Sequence, residues 1–225
     1  MAVQQQVAKI KKKQWFSIVA PKQFENSVIG ETLVYDPQAM IGKTLSHSLM
    51  NLTGDVKKQN ISIHFKVTEI EGDKAKTSIV GYELAASSLK RFVRRNSEKI
   101  ILSFVCETAD KVYLRIKPLI ITRGDVKGSV AARLRHMLTQ YVVRTVNKLK
   151  YDELINDMIT HKFQSAIREG LHKIYPIKIC EVRFMGITEK GKGDMPQFAP
   201  LPEVSKPAAE VPAEPVAEVT EAAAE

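Results

Sequence analysis

The chain has 225 residues, 44% of them hydrophobic and 26% charged, which suffices for one substantial core with appendages. It contains no apolar run of membrane-spanning length, and its polar, basic opening shows no signal peptide. The formal charge of +9 is unevenly spread, because residues 195–225 hold six glutamates and one lysine, leaving +14 on the remainder; such a field attracts polyanions, and nucleic acid is the commonest of these in a cytoplasm.

Residues 1–13 read as a short basic arm carrying Lys9, Lys11, Lys12 and Lys13. The arm runs straight into Trp15, the only tryptophan, and Phe16. Beside a nucleic acid, each lysine neutralises a phosphate and releases counterions. Trp15 and Phe16 are expected to fix the point where the arm leaves the body, and Ala20–Pro21 to end the extended stretch. Stacking of Trp15 on an unpaired base, or plain burial of Trp15 in the core, are the alternatives.

Residues 14–188 read as a single globular domain, strand-rich first and helical later. Ile61, Ile63, Phe65 and Val67 alternate with polar residues, the period of a half-buried strand. The turn signal at 71–73 and KTSIVGYEL make the return strand of a hairpin. Residues 100–108 and 111–118 predict a second hairpin. There Val112, Leu114 and Ile116 face one way and Tyr113, Arg115 and Lys117 the other, with LIIT (119–122) close behind. Between the hairpins, residues 87–99 place Leu89, Phe92 and Val93 on one face of a short helix. Lys90, Arg91, Arg94 and Arg95 share another face, and the segment has five basic residues against Glu98 as its one acid. Solvated helix faces usually mix signs to gain i,i+4 pairs, so this imbalance points to phosphate contact.

A long helix over 129–150, with Ser129 as N-cap, follows. Its apolar face carries Val130, Leu134, Leu138, Tyr141, Val142, Thr145 and Leu149. Its opposite stripe carries Arg133, His136, Gln140, Arg144 and Asn147. The segment holds five Lys/Arg, and no acid lies between Asp125 and Asp152. Arg forks suit a phosphate backbone, and Gln or Asn reach sugars or base edges. Asp152 is expected to cap a second helix through Leu154, Ile155, Met158 and Ile159. A third runs through Ala166, Ile167, Leu171 and Ile174, and residues 177–187 read as a last strand. Residues 189–225, rich in Ala, Pro and Glu, cannot bury enough apolar surface to offset chain entropy and are expected to be a disordered acidic tail.

Other chemistry finds no support. IGKT at 41–44 lacks the first glycine of a phosphate-binding loop, since Pro37 stands there, and no helix follows clearly. The RGD at 123–125 has no secreted context. The five histidines show no metal-ligand spacing. Cys106 and Cys180 lie far apart in apolar patterns and read as small buried hydrophobes. No nucleophile set or carboxylate pair stands out, so an enzyme is not expected, nor a cofactor. No basic helix backs onto a strongly hydrophobic face, so no membrane partner is expected.

KKKQWFSIVAPKQF, IGKTL, the central basic helix after a Lys/Arg-Gly loop, and KIYPIKICEVRF occur in this order. The set resembles the archaeal and eukaryotic small-subunit ribosomal protein family called S-three-Ae, or e-type S-one. The resemblance spans roughly residues 9–188. It implies a structural protein on the platform of the small subunit, beside rRNA near its 3′ region and the mRNA exit, with other platform proteins as neighbours and mRNA near the exit within reach. It implies an α+β fold with an antiparallel β-barrel-like body and packed C-terminal helices; the order of strands then helices is α+β without it. The brevity of the arm suggests an archaeal source. The flanking cations Lys22, Lys43, Arg123, Lys127, Arg135 and Lys148 complete the expected RNA-binding set. A free RNA-binding regulator or translation-associated factor is the alternative function.

Overall fold

In the computed structural model, which describes residues 12–189, the period-two segments pair into strands and the 3.6-period segments cover them as helices. Lys9, Lys11 and the acidic tail from residue 190 lie outside the described residues. The order is β1 (Gln14–Val19), β2 (Val28–Val34), β3 (Thr44–Ser48), α1 (Leu49–Thr53), β4 (Ile61–Glu71) and β5 (Lys74–Leu84). Then come α2 (Ala86–Phe92), β6 (Lys99–Ile101), β7 (Phe104–Glu107), β8 (Tyr113–Thr122), α3 (Gly128–Val146), α4 (Tyr151–Ile159), α5 (Lys162–His172) and β9 (Ile177–Ile187).

The sequence patterns place β4, β5 and β9 well, and Gly72 takes the left-handed turn between β4 and β5 (φ 58°). The second hairpin differs. LIIT continues the preceding strand as one ten-residue β8, while its partner splits into β6 and β7. The split lies opposite Pro118, which has no N–H to return to the ladder; the Leu102 N–H still donates to Pro118 O. The β8–β9 register shifts at the same residue. The helix predicted from 129 begins one residue earlier, after Lys127, so Ser129 is not its cap. Asp152 lies in the first turn of α4 rather than at its cap, where its charge still suits the helix dipole.

The nine strands form one mixed sheet. β5 pairs with β4 along one edge; its other edge takes β1, in parallel, in the first half and β9 in the second. β8 lies beyond β9. Among the described residues β2, β3, β6 and β7 each have one strand partner, so the sheet stays open. The α+β class therefore holds, while the antiparallel barrel-like body is corrected to an open sheet with one parallel pair. The cause is the partner change along β5, which branches the sheet instead of wrapping it.

The main core joins β4, β5, β8 and β9 to α3, α4 and α5 through Phe65, Ile116, Ile120, Leu134, Leu138 and Leu154, among others. A smaller cluster of Phe16, Met40, Val67 and Ala75 lies under β1. Cys106 and Cys180 are free and buried, and burial pushes both thiols up to about 12.

Two constraints concern β9. Gly81 stands opposite Gly186, and a Cβ on Gly81 would lie 3.0 Å from the Met185 carbonyl oxygen. Further along, Glu181 turns inward toward Tyr82 and the start of α5. Its Oε2 is buried without a hydrogen-bond partner, as are Tyr82 Oη and Gln164 Oε1. Desolvation raises the Glu181 carboxyl to about 7. His161 Nδ1 lies 3.9 Å away, but burial lowers its basicity, so the two are not a strong ion pair near neutrality.

Gly81→Ala should destabilise the protein by about 1–3 kcal/mol, because backbone rather than a flexible side chain must give way; chemical denaturation checks this. For Glu181 the folded protein keeps its proton to higher pH than the unfolded chain does. Stability from this group is therefore greatest below about 4.5 and falls as pH rises through about 7. Glu181→Gln should gain on the natural chain by on the order of 1–3 kcal/mol between acidic and mildly alkaline pH, measured by denaturant melts across that range.

Candidate nucleic-acid interface

Thr122, fully buried at the end of β8, ties three segments together. Its N–H donates to Glu98 O (3.1 Å), and its Oγ1 accepts from the Glu98 N–H (2.9 Å). The same hydroxyl donates to Gly124 O (2.7 Å). One residue on, the Arg123 N–H donates to Pro176 O (3.1 Å), and Tyr175 Oη donates to Asp125 O (3.1 Å). The loop 123–127 is thereby fixed against the turn preceding β6 on one side and the α5–β9 connection on the other. Glu98 also reaches Arg135 Nη2 at 3.7 Å, drawing α3 to the same place.

This arrangement brings Arg94, Arg95, Arg123, Lys127 and Arg135 to one end of the sheet. Arg94 and Arg95 sit in a turn held by the Ser97 hydroxyl donating to Arg94 O (2.7 Å) and by Asn96 at φ 60°. Lys90 and Arg91 are exposed on α2, whose Ser88 and Leu89 are buried. Val93, expected on the apolar face, is instead an exposed hydrophobic residue beyond the helix end.

On α3, Arg133 and Arg144 are exposed, as is Lys148 just beyond its C-terminal end. The stripe between them is not uniformly open. Gln140 is 4% exposed, and its Nε2 lies 2.9 Å from His136 Nε2. The helix contacts both α5 and β7, so more than one of its sides is covered. Gln140 is thus corrected from an RNA-facing group to a buried one.

The first lobe of the sheet carries the other candidates. Phe16 is buried as expected of an anchor, but Trp15 is 65% exposed, so the core reading of Trp15 fails. Trp15 pairs across the hairpin with exposed Leu33, and Lys13 Nζ sits 5.1 Å from the Tyr35 ring centroid. Lys12 is exposed beside them. Lys22 and Lys43 are exposed on separate turns and are not gathered with this group by any described contact. After Gly42 and Lys43 the chain enters strand β3, not a helix, so no nucleotide-binding loop forms.

Three basic side chains escaped the sequence reading. Arg168, His172 and Lys178 line a hollow with Arg123. A local signal existed for two of them: Phe163, Ile167 and Leu171 mark the buried side of α5, leaving Arg168 and His172 one turn apart on the exposed side. Their meeting with Arg123 and Lys178 is tertiary and has no local signature.

A rigid α+β body with a lightly neutralised basic rim defines the class of proteins that hold polyanions on preformed surfaces. The chain belongs to the ribosomal S3Ae family, whose model matches residues 2–190. It is similar to the small ribosomal subunit protein eS1 of Staphylothermus marinus, with 35% identity over 77% of this chain and 82% of the relative. It is also similar to the eS1 proteins of Desulfurococcus amylolyticus (33% identity, 77% and 82% covered) and Methanothrix thermoacetophila (28%, 89% and 94%). It is a ribosomal protein and not an enzyme. No helix among the described residues is long and apolar enough to cross a membrane.

The neighbouring aromatics should separate anchor from surface. Phe16→Ala should cost about 3–5 kcal/mol of stability, whereas Trp15→Ala should stay within about 1 kcal/mol; thermal and denaturant melts of the two variants read the contrast.

Proposed function

We propose that this protein is a structural constituent of the small ribosomal subunit that binds rRNA on the platform, near the rRNA 3′ region and the mRNA exit, beside other platform proteins. The names of its relatives support the subunit, and the ordered motifs from KKKQWF to KICEVRF support the platform. The observation that carries RNA binding is the Thr122–Glu98–Arg123 tie, which holds cations from the turn after α2, the loop after β8 and α3 at one end of the sheet before any ligand arrives.

Side chains on folded elements lose little freedom when they meet phosphates. Residues of a terminal arm must be ordered at the moment of contact, at roughly 1–2 kcal/mol per residue of backbone entropy. Body cations therefore contribute fixed register, and arm cations add charge. Trp15, open to solvent beside Lys12 and Lys13, offers a stacking face to an unpaired base. Bound rRNA also screens the mutual repulsion of the basic body, so assembly stabilises the fold as well as the particle.

Arg133→Glu combined with Arg144→Glu should reduce incorporation into small subunits more than removal of residues 1–13 does, with both variants folded by circular dichroism. Tagged variants compete with the natural chain in the same cells, and incorporation is read from isolated subunits. A more damaging arm deletion would move the main RNA surface from α3 to the KKKQWF junction. Loss of the natural chain from subunits at physiological salt would overturn the structural role itself.

A further inference from the structure

We infer that the hollow lined by Arg123, Arg168, His172 and Lys178 is a phosphate pocket that receives the sugar–phosphate backbone of an RNA strand. This rests on the RNA-binding reading above and adds to it a specific contact surface, on α5 and β9, separate from the exposed stripe of α3.

Its walls come from three elements: the loop after β8, the last turn and a half of α5, and the first residues of β9. The floor is Pro176 and Ile177. The cavity measures about 440 Å³, space for on the order of fifteen waters at about 30 Å³ each. A phosphodiester with part of its flanking ribose fits such a space, and the apolar floor suits the sugar.

Charge gives the pocket its sign. Asp125 follows Arg123 and Glu169 follows Arg168 in the chain, yet no ion pair joins any carboxylate to Arg123, Arg168, His172 or Lys178 among the described residues. Arg135, by contrast, already has Glu98 at 3.7 Å. Two guanidinium forks and an ammonium lining one hollow, with no ion pair to them among the described residues, favour a tetrahedral anion with several acceptor oxygens.

The frame is built in advance. The Arg123 N–H is held by Pro176 O, and the loop behind it by Tyr175 Oη. Gly124 passes so close that a Cβ there would lie 3.2 Å from Tyr175 Oη. Ile177, 3% exposed, roots the start of β9 in the core. Binding therefore orders side chains only. Through Arg123 the pocket adjoins the loop that carries Lys127, and Thr122 ties that loop to Glu98, in the segment that follows Arg94 and Arg95. A run of cations of this kind follows a chain of phosphates, which favours RNA over a single small anion.

The test uses the full chain and a short fluorescently labelled RNA duplex, with anisotropy titrations at several salt concentrations. Arg168→Gln combined with Lys178→Gln should weaken binding about tenfold at low salt and make the dependence of log K on log salt shallower by about 1–2. Lys57→Gln combined with Lys66→Gln removes the same charge from the β4 side of the sheet and should stay within about twofold of the natural chain. All four positions are solvent-facing, and circular dichroism confirms that each variant is folded. An unchanged affinity and slope in the pocket variant, while the natural chain binds RNA, overturns the pocket alone. An equal loss in the control variant also overturns it, since the effect is then one of net charge. A polyglutamate peptide that saturates the natural chain but not the pocket variant, with RNA affinity equal in both, would assign the pocket to an acidic protein partner instead. Failure of the natural chain to bind any RNA overturns the RNA-binding reading and the pocket with it.

Discussion

The approach of β5 to β9 at Gly81 and Gly186 is the contact on which the remaining architecture depends. β5 gives its first half to β1 and its second half to β9, so this short junction is where the β1–β2 hairpin and the β8–β9 ladder meet on one strand. A side chain on Gly81 would press on the Met185 carbonyl, and one on Gly186 would meet the Phe184 ring. Phe184 can therefore lie along the strand surface, where Lys117 Nζ approaches its centroid at 5.0 Å. Register is fixed here because a one-residue slip would turn Val182 and Met185, both buried, to the opposite face. The start of β9 is fixed by its ladder to β8, where Ile177 pairs with Thr122, and with it the positions of Pro176 and Lys178 beside Arg123.

Counter-ions are distributed unequally over that frame. On the β4–β5 side, Lys76 is paired with Glu71, Lys58 with Asp55 at 2.8 Å, and His64 contacts Glu83 at 3.1 Å. Such exposed pairs contribute little stability. Their consequence is a locally balanced surface with a weak field. At the end of β8, among the described residues, the one ion pair is that of Glu98 with Arg135, and Glu98 is held there by Thr122 for reasons of backbone structure. Charge left unbalanced on a rigid frame costs some folding stability through self-repulsion and is recovered when a polyanion binds.

The sequence was most legible where one physical effect dominated. Strict alternation over Ile61–Val67 and the 3.6-period runs through Leu134–Leu138–Val142 and Ile167–Leu171 translated into β4, α3 and α5 because burial alone decides those faces. β2 and β3 were not read, since their partly exposed residues give little alternation to follow. The open sheet was hidden because partner exchange along β5 is a tertiary event. Gln140 lay on the correct helical stripe but under neighbouring structure, which no single-helix projection contains. For Trp15 the core alternative fails for a local reason: a large aromatic is usually buried, but here the strand's alternation gives the core to Phe16 and leaves its neighbour outside.

That alternation explains the junction between lysines and aromatics at the start of the chain. Phe16 enters the small core with Met40, Val67 and Ala75, so β1 is held by packing as well as by ladders to β2 and β5. With its position set, Lys12, Lys13 and Trp15 emerge from a fixed root in a fixed direction. A tether of this kind limits the volume that attached cations sample, raising their effective concentration near any RNA already docked on the body. The two basic regions then have different physical tasks. The preformed surface at the end of β8 supplies register through cations that need little ordering. The lysines and Trp15 at the start of β1 supply additional contacts whose benefit depends on that register having been set.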